Sequence, residues 1–194
     1  MKGCRPLTDD EVTLVGRSFG GTYATRDKAL FVLGIKSGFR ISELLSLTIG
    51  DIYAHGQVVA RVTVKRVHMK RKVEGRTLLL HPDAQAAIQA WLSELATVGA
   101  LLPSRALFAS RKGVNRPISR EQAWHILKEA YATNGLSGAL GTHSMRKTFA
   151  NNVYEKLGHD LVKTLRAMGH KNINSTVSYL SFCEDDIDQA ILAI

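Results

Sequence analysis

The sequence predicts a mainly α-helical protein with one small antiparallel β-sheet, which places it in the α+β class. Helix caps and glycine or proline stops bracket a series of helical segments along most of the chain. One stretch differs, because residues 57–70 are rich in valine and partly alternating, and residues 72–80 provide a second strand-like run. With 194 residues, of which 45% are hydrophobic, the chain has the length of one domain with a sizeable core.

The predicted helices of the first half have recognisable starts and stops. Thr8 and Glu11 form a capping-box pattern at the head of the first helix. The second helix covers residues 26–37 and ends at Gly38. A short third helix is expected in residues 40–47.

The second half is expected to be helical in shorter pieces. Pro82 opens a helix that runs through residue 95. After a loop over residues 99–118, Ser119 and Gln122 form another capping-box pattern. The remaining predicted helices are residues 143–157, residues 160–168, a helix carrying Tyr179, and residues 184–194.

The two strand-like runs, residues 57–70 and 72–80, are predicted to pair as a β-hairpin or small antiparallel sheet. The turn between them carries Lys70, Arg71 and Lys72, and the tip is therefore strongly basic. A charged turn is usually only solvated. The alternative is a basic finger that reaches into a DNA groove.

The overall charge favours an anionic partner. The chain has 26 Lys and Arg against 17 Asp and Glu, a net charge of +9, and such an excess most often indicates nucleic acid. Cys4 and Cys183 lie at opposite ends without metal-ligand spacing, as expected of free thiols in a reducing cytoplasm. The N-terminal residues lack the apolar run of a signal peptide, and no stretch approaches the roughly 18 apolar residues of a membrane span. We therefore expect a cytoplasmic protein without a membrane partner.

Two places in the middle of the chain are candidates for chemistry. Arg40 follows a glycine at a helix start, and the alternative is a surface arginine paired with Glu43. His143 and Arg146 are three residues apart, which puts them on one helix face. Met145, with Phe149 four residues later, marks a neighbouring apolar face that would pack the helix. The alternative is a helix-start histidine with a solvated arginine.

A third candidate lies near the end of the chain. Gly169 has the character of a helix C-cap, and His170 follows it directly. Tyr179 stands nine residues after His170, beyond a polar run. Either Tyr179 is an aromatic residue on the edge of a surface helix, or it is a nucleophile.

In this order the segments GFRISELLSL, THSMRKTFA and MGHKNINSTVSYL resemble the arginine, histidine–arginine and tyrosine boxes of the tyrosine recombinase (phage integrase) family. The resemblance covers nearly the whole chain. It implies the tyrosine recombinase catalytic-domain fold, with residues 1–194 forming a single catalytic domain. The N-terminal core-binding domain that most members carry is expected to be absent.

The resemblance also implies a role for each residue. Arg40 and Arg146 would grip the phosphate, and Tyr179 would be the nucleophile. His143 would be the histidine of the histidine–arginine box, and His170 would be the second histidine. The family's catalytic lysine sits at the turn of the small sheet, where Lys70 is favoured and Lys72 and Lys65 are alternatives. The residues expected to contact DNA are Lys65, Arg66, Arg71, Lys72, Arg120 and Lys147.

The function implied is site-specific DNA recombination. Such enzymes cleave and rejoin strands through a 3′-phosphotyrosine, here in integration or excision of a mobile element, and need no metal or cofactor. The expected partners are double-stranded DNA, further copies in a homo-tetramer that exchange the C-terminal helix, and accessory DNA-bending proteins. The expected location is the nucleoid in the cytoplasm of a bacterium, as either a bacterial or a phage protein.

Other functions remain alternatives. A type IB topoisomerase or a telomere resolvase uses a similar set of residues to relax or close DNA. A DNA-binding regulator that has lost catalysis would keep the fold only. An RNA-binding helical domain with a basic hairpin would leave the spacing of Tyr179 unexplained.

Overall fold

The structure is a computed structural model that describes residues 3–64, 76–99, 101–113, 115–170, 172–180 and 191–192. Its helices are α1 (Asp9–Ser18), α2 (Ala24–Ser37), α3 (Ile41–Leu44), α4 (Ile49–Ile52), α5 (Pro82–Thr97), α6 (Arg120–Thr133), α7 (Thr142–Lys156), α8 (Leu161–Met168) and α9 (Ile173–Val177). Its strands are β1 (Tyr53–Ala54), β2 (Gln57–Val58), β3 (Arg61–Val64) and β4 (Arg76–Leu79). The chain divides into two compact units, Met1–Phe149 and Ala150–Ile194.

The predicted helix starts are confirmed. The Thr8 hydroxyl accepts a hydrogen bond from the Glu11 backbone N–H at 3.2 Å, and the Glu11 carboxylate accepts one from the Thr8 N–H at 3.0 Å. The Ser119 hydroxyl accepts from the Gln122 N–H at 3.0 Å and so caps α6. Pro82 occupies the first turn of α5, where its missing N–H costs nothing.

The helix α4 was not predicted from the sequence. It is a single four-residue turn, too short to leave a periodic pattern of apolar residues. Its stability comes from its cap, where the Asp51 carboxylate accepts hydrogen bonds from the Thr48 N–H at 2.9 Å and from the Thr48 hydroxyl at 2.7 Å. Ile49 and Ile52 are then buried.

The predicted hairpin is confirmed for β3 and β4, which pair antiparallel from Arg61↔Leu79 to Val64↔Arg76. The predicted single strand over residues 57–70 is divided, because β2 ends at Val58 and pairs with β1, and β3 begins only at Arg61. The two-residue turn between β1 and β2, His55 and Gly56, has positive φ at both positions (51° and 79°), as favoured turns between antiparallel strands require. The hairpin segment between β3 and β4, residues 65–75, lies outside the described residues.

The core of the first unit forms where α5 packs against α2 and contacts β2. Fully buried residues include Leu30, Leu33, Ile52, Val62, Ile88, Leu107 and Leu127. The predicted apolar face of α7 is confirmed, since Met145 is 1% exposed and packs on the backbone of α2. A Cβ added at Gly34 would lie 2.5 Å from the Met145 sulfur, so this close approach requires glycine.

Among the described residues, the second unit contains the last part of α7, α8 and α9. Asp160 caps α8 by accepting from the Lys163 N–H at 2.9 Å, and Gly169 ends it in the left-handed conformation, φ 62°, as predicted. The helix predicted to carry Tyr179 ends earlier, because α9 stops at Val177 and Tyr179 lies in the turn that follows. There the Tyr179 N–H donates to the Thr176 carbonyl at 2.9 Å, a short i to i−3 bond that tightens the last turn.

In the part of the chain that the structure describes, no helix is both long and apolar enough to cross a bilayer. The C-terminal helix predicted at residues 184–194 lies outside the described residues except at positions 191 and 192. Cys183 lies outside them as well.

Candidate active site

The turn between α2 and α3 positions the first arginine. Gly38 takes the left-handed conformation, φ 58°, and ends α2, so that Arg40 becomes the cap residue of α3. The Glu43 carboxylate accepts from the Arg40 backbone N–H at 2.8 Å and from its guanidinium at 3.0 Å. The pairing foreseen as the alternative for Arg40 therefore exists. Glu43 is buried, whereas the Arg40 side chain is 36% exposed, which leaves part of its guanidinium accessible.

Arg146 is fixed to the same turn. It projects from α7, is 1% exposed, and donates a hydrogen bond from Nη1 to the Gly38 carbonyl. The alternative of a solvated arginine at this position is wrong. Arginine is rarely fully buried unless it is paired. The hydrogen bond to Gly38 therefore holds the buried guanidinium in a fixed position.

A third arginine belongs to this cluster and was missed by the sequence reasoning. Arg76 begins β4, is 8% exposed, and donates from Nη2 to the Ser37 carbonyl at 3.2 Å. Its guanidinium lies over the ring of Phe39, 5.2 Å from the centroid. The signal that could have indicated the burial of Arg76 is its strand position. Arg76 lies opposite Val64 in the antiparallel pair, and Val64 is buried.

Burial and charge repulsion within the arginine cluster lower the pKa of Arg76. Burial first, and then the positive charges of Arg146 and Arg40, lower the pKa of Arg76 to about 10, and the Glu43 carboxylate opposes this shift. Three guanidiniums thus share one neighbourhood with the buried carboxylate of Glu43. Positive charge at such density, partly shielded from water, is suited to binding an anion.

His143 stands in the first turn of α7, near the same arginines. Burial lowers the pKa of His143 below its usual value, and the positive charges of Arg146, Arg40 and Lys147 lower it further. The imidazole is consequently neutral near pH 7 and can accept a proton.

His170 and Tyr179 lie side by side in the second unit. His170 is 7% exposed, and its Nδ1 is 3.0 Å from the hydroxyl of the buried Thr176. The centroids of the His170 and Tyr179 rings are 5.4 Å apart at an interplanar angle of 43°. The polar run between them forms α9, which returns the chain so that the two rings meet. Tyr179 itself is only partly buried.

Several predicted DNA contacts can be placed and others cannot. Arg120 is exposed at the start of α6, together with Gln122, His125 and Lys128 on the same helix. Lys147 is partly buried on α7. The predicted catalytic and DNA-contacting residues of the hairpin lie outside the described residues: Lys65, Arg66, Lys70, Arg71 and Lys72.

The structure thus brings Arg40, His143 and Arg146 together in the first unit, and His170 and Tyr179 together in the second. Sequence reasoning named these five residues, saw Glu43 only as an ion-pair partner, and missed Arg76. Within the described residues, no group of three or more His, Cys, Asp or Glu side chains could hold a metal ion.

The first unit thus holds a cluster of arginines on a tight turn with a histidine beside it, and the second unit holds a histidine–tyrosine pair. The chain belongs to the phage integrase family, whose model matches residues 7–183. The family predicted from the sequence is thereby confirmed.

Individual relatives agree with this assignment. The chain is 32% identical over 160 residues to the probable integrase/recombinase YoeC of Bacillus subtilis, covering 82% of this chain and 80% of that protein. In fold it is similar to XerA recombinase, with a TM-score of 0.78 at 16% identity over 100% of this chain and 66% of XerA. It is also similar to the XerH site-specific recombinase bound to difH substrate, with a TM-score of 0.72 at 21% identity over 96% of this chain.

The predicted fold and recombinase class are therefore confirmed as well. The chain spans only 53% of the XerH chain and 66% of the XerA chain.

Proposed function

We propose that this chain supplies the catalytic domain of a site-specific recombinase, which cuts and rejoins double-stranded DNA through a 3′-phosphotyrosine. The observation that carries the proposal is the anchoring of Arg40 and Arg146 to one turn, residues 37–40. Membership of the phage integrase family supports it.

The arginines act on the scissile phosphate. Negative charge gathers on its non-bridging oxygens in the transition state, and a guanidinium can donate two parallel hydrogen bonds to such oxygens. Because Arg146 is buried and both arginines are held by hydrogen bonds, little reorganisation is needed when that charge develops. The side chains are thus preorganised for the transition state.

Tyr179 provides the nucleophile. Its oxygen attacks phosphorus, the new O–P bond replaces the bond to the 5′ oxygen of the next nucleotide, and a 3′-phosphotyrosine remains. A free tyrosine has a pKa of about 10 and needs a base, which we assign to the neutral imidazole of His143. The leaving 5′ oxygen takes a proton from a lysine, for which we propose Lys70, with Lys72 and Lys65 as alternatives. Reversal by another 5′ hydroxyl rejoins the strands.

His170 supports the nucleophile. The hydroxyl of Thr176 holds its Nδ1, which fixes the ring beside Tyr179. We assign to its other nitrogen a hydrogen bond to a phosphate oxygen. This orientation by a buried partner is the usual way in which a working imidazole is positioned.

The wider setting is also proposed. The net charge of +9 and the exposed basic residues of α6 support binding along a DNA duplex. We propose a homo-tetramer on DNA that exchanges its C-terminal segments, with accessory DNA-bending proteins, in the nucleoid of a bacterial cell. Integration or excision of a mobile element is the proposed task.

Covalent trapping tests the proposal. The protein is incubated in EDTA with nicked duplexes tiled across the DNA that flanks its gene, denatured in SDS, and scored for DNA-linked protein. We expect an adduct with the wild type and none with Tyr179→Phe. Tyr154→Phe is the matched control, because it removes another tyrosine hydroxyl of the same unit. An adduct that survives Tyr179→Phe would refute the assignment.

A further inference from the structure

Arg76 is the one member of the arginine cluster to which the mechanism assigns no role. It lies in the last residue pair of the β3–β4 ladder before the connecting segment, opposite Val64. From there its side chain reaches the α2–α3 turn, where it donates to the Ser37 carbonyl at 3.2 Å and covers the Phe39 ring. Arg76 therefore connects the small sheet to the turn that carries Arg40.

The same turn is held from two sides. Arg146 donates to the Gly38 carbonyl, and Arg76 donates to the carbonyl of the preceding residue. Adjacent carbonyls of one turn thus each accept from a buried guanidinium. The turn that sets the direction of Arg40 depends on contacts from both α7 and β4.

Burial of a third guanidinium in this place is unfavourable for folding. Burial and the charges of Arg146 and Arg40 all oppose its protonated form, as its lowered pKa indicates. Replacing a buried charge by an apolar side chain of similar volume is often neutral or stabilising. The contribution of Arg76 is therefore expected to appear in phosphate chemistry and not in stability.

We propose that Arg76 is a positioning residue of the phosphate site, which fixes the turn at residues 37–40 and adds positive charge next to Arg40 and Arg146. The inference rests on the proposed recombinase function. The effect of Arg76 on the cleavage rate should therefore depend on the negative charge of the scissile phosphate, although Arg76 need not touch the DNA.

The test compares two substrates. Once the covalent adduct has located the scissile phosphate, the same nicked duplex is made with a neutral methylphosphonate at that position. Single-turnover cleavage of both is measured for the wild type, Arg76→Met and Arg76→Lys. Arg61→Met is the matched control, because Arg61 is an exposed arginine on the paired strand β3. Melting temperatures are recorded for every variant.

We expect Arg76→Met to lose at least about tenfold in rate on the phosphate but less than about threefold on the methylphosphonate, without a lower melting temperature. Arg76→Lys should restore only part of the rate, since an ammonium cannot both reach the Ser37 carbonyl and cover Phe39 with a planar group. Arg61→Met should leave the ratio of the two rates unchanged.

Other outcomes overturn the inference in distinguishable ways. Equal losses on both substrates, with a lower melting temperature, would mean that Arg76 is only structural. A wild-type adduct together with an unchanged Arg76→Met rate would refute the role of Arg76 alone. Absence of any wild-type adduct would refute the proposed function, and the role of Arg76 with it.

Discussion

Gly38 is the residue on which the fold and the site depend together. Its φ of 58° is a conformation that costs an L-amino acid with a side chain about 1–2 kcal/mol. An added Cβ would also collide with the ring of Phe149, and such overpacking costs about 1–3 kcal/mol. We therefore expect Gly38→Ala to lower the free energy of unfolding by about 2–5 kcal/mol.

Substitutions at two other glycines allow the conformational cost and the packing cost to be measured separately. Gly56 has φ 79° with no neighbouring atom within 4 Å of an added Cβ, so Gly56→Ala should cost about 1–2 kcal/mol, the conformational term alone. Gly34 lies within α2 with Met145 against it, so Gly34→Ala has only the packing cost, reduced by about 1 kcal/mol of helix propensity. The three variants together form a matched set.

Urea unfolding is the assay. The buried Trp91, whose indole N–H donates to the Leu107 carbonyl at 2.8 Å, is the fluorescent reporter in the core. The midpoint should fall without a change in m-value. Truncation of the ring by Phe149→Ala should be less costly in the Gly38→Ala background than in the wild type. If Gly38→Ala costs no more than Gly56→Ala, Phe149 does not pack on the turn, and the account of how α7 fixes it is wrong.

Three further predictions concern catalysis and DNA binding. Arg40→Ala and Arg146→Ala should each lower single-turnover cleavage by about 10²–10³, and lysine should not restore the rate fully; losses under about threefold would contradict the phosphate-gripping role. The cleavage rate should fall as the pH drops through the depressed pKa of His143, because only the neutral imidazole is a base. Lys147→Glu should raise the pKa of His143 and move this acid limb to higher pH, and an unmoved limb would refute the assignment. Arg120→Ala should reduce the slope of log K against log salt for duplex binding by about 1, and an unchanged slope would remove Arg120 from the DNA contacts.

Features set by neighbouring residues could be predicted from the sequence. The cap at Thr8 and the glycine stops at Gly38 and Gly169 depend on hydrogen bonds and dihedral angles within a few positions. The packing of Met145 followed from helical spacing alone. These predictions held because tertiary contacts did not oppose the local preference.

Features set by distant contacts could not be predicted in this way. Burial of Arg76 depends on which strand it pairs with and on the turn before Arg40, which lies 36 positions earlier in the chain. The fold-back at His55 depends on a turn with an unusual backbone conformation at a residue other than glycine. The helix α9 ends at Val177, two residues before Tyr179, and helix propensity does not locate a helix end to within two residues.

The central claim is that Tyr179 forms the covalent link to DNA. The most direct measurement is mass spectrometry of the trapped adduct after nuclease and trypsin digestion. Trypsin should cut after Lys171, and the peptide that begins at Asn172 contains Tyr179 as its only tyrosine. We expect this peptide to carry the additional mass of the residual nucleotide. A nucleotide on a peptide containing one of the other tyrosines, Tyr23, Tyr53, Tyr131 or Tyr154, would contradict it.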